Sequence, residues 1–221
     1  MIPDETRTRI KGLGQPVALF LGRLGLSPDG LTILGFAITA VGATMLAFGM
    51  WLVGALVVFA GGVFDLFDGA LARATGRVSK LGAFMDSVFD RWGEALVYVG
   101  LVVGLDRAGL QMGAWLAAGA MASAFLVSYT RAKSEGLGFT PGTGMAAVGL
   151  MPREVRLIVL TAGLAAAGLA GGVTDTADAT GSALTLAALG IIALGATVTI
   201  VQRILHVRRQ AAGTEGDAGR P

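Results

Sequence analysis

"FDLFDGALARATGRVSKLGAFMDSVFDR", residues 64–91, sets four aspartates and three arginines between stretches otherwise fit only for lipid. The apolar residues on both sides run on with little relief, and that continuity decides the fold class. Over 221 residues, 54% are apolar and 14% charged, with a mean hydropathy of +0.71, which leaves too little polar surface to cover a water-soluble domain. Runs long enough to cross about 30 Å of hydrocarbon lie roughly at 31–53, 54–72, 88–105, 113–130, 154–172 and 182–204. Backbone amides in lipid must bond within their own segment, and these runs are too continuous for alternating barrel strands. The expected fold is therefore an all-α integral membrane domain of six transmembrane helices. Thirty-five glycines suit it, because small residues let membrane helices approach closely.

Orientation follows from the cations. Arg7, Arg9, Lys11 and Arg23 precede the first span, and Arg73, Arg77, Lys80 and Arg91 surround the second connection. Arg131, Lys133, Arg153 and Arg156 surround the fourth, and Arg203, Arg208, Arg209 and Arg220 close the chain. Sixteen of the seventeen cations thus share one side, Arg107 being the exception. By the positive-inside rule both termini and the even connections face the cytoplasm, as in a multi-pass plasma membrane protein. The formal net charge of +2 and pI near 9.4 then report topology and contact with membrane lipids. No basic aromatic module for nucleic acid is present.

The segment before the first span resembles no cleavable signal, since its apolar part is short and broken by Arg23. An interfacial amphipathic helix over roughly 3–24 fits it, with Arg7 and Lys11 one turn apart on a wet face. "SPD" then opens a helix: Ser27 caps, Pro28 suits the first position, and Asp29 meets the positive end of the dipole. The first connection is expected near Gly54. "GLGFTPGTGM", 136–145, reads as a Gly-rich cytoplasmic connection, and Trp51, Trp92 and Trp115 as interfacial belt residues. Residues 1–210 form one domain, and the polar tail 211–221 is expected to be disordered. The absence of cysteine excludes disulfides and thiolate metal sites.

In a helix Asp65, Asp68, Gly69, Ala72 and Arg73 share a face, and after a turn at Thr75–Ser79 so do Gly82, Asp86 and Asp90. So short a turn makes the two helices antiparallel neighbours, and their acidic faces can meet at the cytoplasmic ends of spans two and three. Four carboxylates at membrane depth cost free energy unless a cation lies among them. Oxygen-only donors favour a hard ion such as Mg2+, Mn2+ or Ca2+. Gly69, Ala72 and Gly82 leave room for a ligand beside it.

These residues complete the pattern D-x2-D-G-x2-A-R-x8-G-x3-D-x3-D, and the chain resembles the CDP-alcohol phosphotransferases, whose hallmark it is. The resemblance covers nearly the whole chain. It implies six membrane helices, an N-terminal interfacial helix, a homodimer, and transfer of a phosphatidyl-type group from a CDP-diacylglycerol-type lipid to an alcohol with release of CMP. It further implies that Asp65, Asp68 and Asp86 hold a pair of Mg2+ or Mn2+ ions, with Asp90 completing the site and acting as general base. Gly69, Ala72, Arg73 and Gly82 would bed the cytidine and diphosphate, Asp68 would adjoin them, and Asp29 and Thr32 would border the nucleotide.

For the acceptor, "SYTRAKSEG" places Ser128, Arg131 and Glu135 on one face at the end of span four. "MPREVRL" adds Arg153 and Arg156, and "IVQRILHV" adds Gln202 and Arg203, at the same cytoplasmic level. Such arginines suit a phosphorylated polyol, since Arg clasps phosphate bidentately. Their order is similar to that in the phosphatidylinositol-phosphate synthase branch, which implies an acceptor-phosphate pocket of Ser128, Arg131, Arg153 and Arg203. A glycerol 3-phosphate acceptor and an ether-lipid donor are the alternatives. A divalent-cation transporter would need acids deep in several spans and on both sides of the bilayer, whereas these cluster on one.

Overall fold

A computed structural model of the chain describes residues 16–139 and 148–218. They form helices and connections only. A short helix at 16–23 (α1) is followed by α2 (Pro28–Ala47), α3 (Trp51–Ala74), α4 (Lys80–Arg107), α5 (Gln111–Gly136), α6 (Arg153–Leu169) and α7 (Thr180–Ala218). Of the interfacial helix expected over 3–24, residues 16–23 are helical, and the earlier part, with Arg7 and Lys11, lies outside the described residues. So does most of the Gly-rich connection at 136–145.

Local chemistry places the ends. Ser27 caps α2 by accepting from the Gly30 N–H at 3.0 Å, with Pro28 and Asp29 in the first turn as expected. Helix α3 ends at Gly76, whose φ of 66° only glycine adopts easily, and the Arg77 N–H reaches back to the Ala72 carbonyl at 2.9 Å. Ser79 then caps α4 through the Gly82 N–H at 2.9 Å.

Two expected boundaries are corrected. The first connection is at Phe48–Met50, where Gly49 has φ 76°, and Gly54 lies buried inside α3, so close to Leu46 of α2 that a side chain there would collide. Helix α7 continues to Ala218, into the tail expected to be disordered from 211, and no proline interrupts it.

The long helices close into a ring in which α2 packs on α3 and α4, α3 on α6, α6 on α7, α7 on α5, and α5 on α4. Helices α3 and α4, expected as neighbours, barely touch. Both press small residues onto α2 instead: Gly54 and Gly61 of α3 face Gly42, Thr39 and Gly35, while Gly100 and Gly104 of α4 lie against the Ala43 and Leu46 carbonyls. Between them runs a core of Leu46, Val58, Tyr98, Leu101, Leu164 and Ile192.

Leu194, Met112 and Leu169 are more than two-thirds exposed on the outside, the reverse of a soluble protein and the expected surface toward lipid. Helices α2, α3, α5 and α7 are long and apolar enough to cross a membrane. The chain is an all-α membrane protein. Trp115 and Trp92 are exposed as belt residues would be, but Trp51 is buried against Gly104 and Gly172, so the belt reading fails there.

Candidate active site

Asp68, on the last third of α3, is 5% exposed and accepts two hydrogen bonds. One comes from the Thr32 hydroxyl of α2 at 2.6 Å, the other from its neighbour, the Gly69 N–H. The Thr32 bond fixes which way the carboxylate points, and it exists because Ser27 and Pro28 start α2 one turn earlier. Asp65 lies against α2 as well: a side chain at Gly35 would meet its Oδ1 at 2.7 Å, so that carboxylate occupies space that only glycine leaves.

Asp86 and Asp90 project from α4 toward the same volume. Asp68 feels the charges of Asp86 and Asp65, and Asp90 those of Asp65 and Asp86. The two acidic faces thus lie within electrostatic reach of each other, although the helices that carry them are not packed neighbours. What fills the gap is Arg153, the first residue of α6. Its Nη2 donates to Asp65 Oδ2 at 2.8 Å and its Nη1 lies 2.8 Å from Asp90 Oδ1, so one guanidinium ties α3 to α4. Arg91 stands 3.6 Å from the other oxygen of Asp90.

This donor set fits a hard divalent ion. All four side chains offer oxygen only, and the position between two of them is already taken by a cation, the Arg153 guanidinium. Among the described residues no three carboxylates converge closely enough to hold a metal ion between them.

The residues assigned to the nucleotide lie beside the aspartates. A side chain at Gly82, at the start of α4, would meet Asp29 Oδ1 of α2 at 3.5 Å, and one at Gly69 would meet Arg73 Nη1 of the same helix at 3.2 Å. Ala72 is half-buried one turn beyond Asp68.

The acceptor group is less uniform. Arg153 is engaged with the aspartates. Arg203, 4% exposed, donates from Nε to the Val148 carbonyl at 3.0 Å and from Nη1 to the Val127 carbonyl, yet remains near enough to Arg131 to feel its charge. Arg131 is exposed and paired with Glu135 at 2.9 Å. Ser128 turns back to the Ala124 carbonyl at 3.3 Å, away from the arginines.

One pair in the site escaped the sequence reading. Arg156, 1% exposed, donates Nε and Nη2 to the two oxygens of Glu94 at 2.7 and 2.8 Å, and Nη1 to the Met151 carbonyl. Glu94 was detectable, because it continues the face of Gly82, Asp86 and Asp90 by one more step of four. With Arg153, Thr39 and the unpartnered hydroxyl of Tyr98, this pair lines a cavity among α2, α3, α4 and α6.

Known proteins agree with this architecture. The phosphatidylinositol phosphate synthase of Streptomyces avermitilis is 36% identical over 220 residues, covering 92% of this chain and 80% of that protein. The phosphatidylinositol phosphate synthase of Mycobacterium tuberculosis, crystallised with CDP-DAG bound, superposes with a TM-score of 0.73 at 28% identity, over 88% of this chain and 92% of that one. Its complex with manganese and citrate gives 0.72 at the same identity, over 88% of each chain. The sequence profile of the CDP-alcohol phosphatidyltransferases matches residues 26–208. A match that runs from the cap of α2 to the arginines of α7, and not through the aspartates alone, makes this chain a member of the CDP-alcohol phosphatidyltransferase family.

Proposed function

We propose that the chain transfers the phosphatidyl group of a CDP-diacylglycerol-type lipid to a hydroxyl of inositol 1-phosphate, giving phosphatidylinositol phosphate and CMP. The observation that carries this reading is the 2.8 Å contact between Arg153 and Asp90. An arginine able to clasp an acceptor's phosphate stands within reach of a carboxylate able to take its proton, so a phosphorylated polyol held by the first presents a hydroxyl to the second.

The acceptor hydroxyl attacks the phosphorus that bears diacylglycerol, its proton passes to Asp90, and the bond to the CMP oxygen breaks. Asp65, Asp68, Asp86 and Asp90 would hold a pair of Mg2+ or Mn2+ ions. When bound, such ions neutralise the diphosphate and stabilise the leaving CMP. Asp29, Thr32, Gly69, Ala72, Arg73 and Gly82 border the nucleotide; the glycines leave it room and the Thr32 bond holds Asp68 in place. Arg131, Arg153 and Arg203 supply the acceptor's countercharge, with Ser128 at the margin.

Six crossings by α2 to α7, cytoplasmic termini, a single domain to residue 210 and a homodimer complete the proposal. Helix α4, with 28 residues, measures about 42 Å, so its charged first turns extend beyond about 30 Å of hydrocarbon. That leaves Asp86 and Asp90 at the membrane edge, where a lipid donor and a water-soluble acceptor can meet.

The test is an acceptor panel. Purified protein with CDP-diacylglycerol and Mn2+ is given inositol 1-phosphate, inositol, glycerol 3-phosphate or serine, and CMP is measured. Turnover is expected with inositol 1-phosphate. Strong turnover with glycerol 3-phosphate and none with inositol 1-phosphate would replace this acceptor with the alternative.

A further inference from the structure

Besides Arg91, which stands 3.6 Å from Asp90, three buried or half-buried arginines stand at the level of the aspartates, and they are held differently. Arg156 is locked by both oxygens of Glu94 and by the Met151 carbonyl. Arg203 is held by the carbonyls of Val127 and Val148. The partners of Arg153 are Asp65 and Asp90, two side chains assigned to the ions.

We infer that Arg153 is a resident counter-ion of the aspartate site: divalent ions displace its guanidinium, and the displacement frees it for the acceptor's phosphate. This rests on the function proposed above and adds an order to it, ions before acceptor. The guanidinium lies against Asp65 Oδ2 and Asp90 Oδ1, oxygens that an ion held by these residues would also use. Two cations cannot share such a position without repulsion, so each excludes the other.

The backbone beneath Arg153 is built to stay while the side chain moves. The Leu150 and Met151 N–H groups donate to Thr199 Oγ1 at 3.1 and 3.0 Å, and Arg156 holds the Met151 carbonyl at 2.9 Å. A pinned helix start bearing a long side chain lets the fork swing while α6 keeps its place. Its 24% side-chain exposure and the adjoining cavity leave it somewhere to go.

The consequence is a coupling. A site closed by its own cation part of the time binds ions with an affinity reduced by the fraction that is open. If about one molecule in ten is open, removing the guanidinium tightens ion binding about tenfold. Linkage then requires that ions favour the phosphorylated acceptor by a similar factor.

Mn2+ binding is measured by calorimetry on full-length protein in detergent, without CDP-lipid, for wild type, Arg153→Gln, Arg153→Lys and Asp86→Asn. The expected results are a dissociation constant about tenfold lower for Arg153→Gln and severalfold lower for Arg153→Lys. Lysine keeps the charge but cannot fork two carboxylates, so a value for Arg153→Lys equal to wild type would reduce the effect to net charge and overturn the inference. An unchanged or weaker Arg153→Gln would do the same.

Inositol 1-phosphate is then titrated with and without Mn2+. The ion is expected to strengthen binding about tenfold in wild type and much less in Arg153→Gln. Equal strengthening in both would place the coupling in direct ion–phosphate contact and overturn the release step. Wild type that binds no Mn2+, or binding unaffected by Asp86→Asn, would instead sink the underlying reading of the aspartates, a result distinguishable from the other two.

Discussion

At Asp90, one carboxylate is asked to serve both an ion and a proton. One oxygen faces Arg153 at 2.8 Å and the other faces Arg91 at 3.6 Å, so its replacement by asparagine keeps the shape and loses the base. CMP release by Asp90→Asn is expected to fall by about a thousandfold, within the range for a lost general base. Turnover within tenfold of wild type would show that another group takes the proton. Glu94 and Arg156 make a different prediction, because their pair is buried and bidentate. Arg156→Met leaves the Glu94 charge alone and is expected to cost about 3 kcal/mol of stability, while the double change Arg156→Met with Glu94→Gln recovers most of it. Thermal unfolding in detergent reads both, and equal losses for single and double variants would show that the pair does not act as a unit. The aspartate pattern was legible in the sequence because all eight of its positions fall within 26 consecutive residues. Arg153 with Asp65, 88 residues apart, and Arg156 with Glu94, 62 apart, were not. Charge and periodicity say that a cation is needed but not which one arrives.

Among the elements, the glycines of α2 decide how deeply the aspartates sit. A side chain at Gly42 would meet the Val58 amide nitrogen at 2.8 Å and Val58 Cγ2 at 2.7 Å, and backbone cannot yield as a side chain can. Gly42→Ala is therefore expected to destabilise the α2–α3 pair by about 2 kcal/mol. Gly119→Ala, on an exposed face of α5 with nothing within 4 Å, is expected to be neutral or to stabilise by about 0.5 kcal/mol, as helix propensity alone would give. Unfolding temperatures that fall equally for both would contradict close packing at Gly42. The same crossing explains why the first connection was misplaced. From residue 31 to 72 hydropathy is high almost throughout, and Gly49 and Gly54 are both plausible breaks to a reader of sequence. Only the crossing shows that Gly54 is needed inside α3, where Leu46 presses on it, and Gly49 in the turn. A short turn likewise suggested that α3 and α4 pack together. It could not show that both have a smoother partner in α2. The helix caps, by contrast, were readable because Ser27, Pro28 and Asp29 act within one turn of one another.

For the whole molecule, the ring of helices gives the proposed chemistry a direction, since the aspartates, the arginines proposed for the acceptor and the turn at Gly76 all lie at one end. Four helices qualify for crossing by length and composition. Helix α6 has 17 residues, about 26 Å, somewhat short of the hydrocarbon, and α4 carries Asp86, Asp90, Arg91 and Glu94 between its start and its middle. Both complete the ring between neighbours long and apolar enough to cross, and their polar groups pair inward at Arg153 and Arg156, as charged groups at membrane depth must. Orientation can be tested directly, because the chain has no cysteine and each one introduced reports alone. Thr75→Cys lies on the turn below the aspartates, while Met112→Cys, in the first turn of α5, and Ala177→Cys, on the connection from α6 to α7, lie at the far end, all three exposed. In intact cells a membrane-impermeant maleimide is expected to label Met112→Cys and Ala177→Cys, and Thr75→Cys only after permeabilisation, since the cations flank the turn at Thr75. Labelling of Thr75→Cys from outside would turn the active site to the exterior and remove the cytoplasmic assignment. Labelling of only one far-end position would mean that a helix between 112 and 177 fails to cross, and with it the six-span ring.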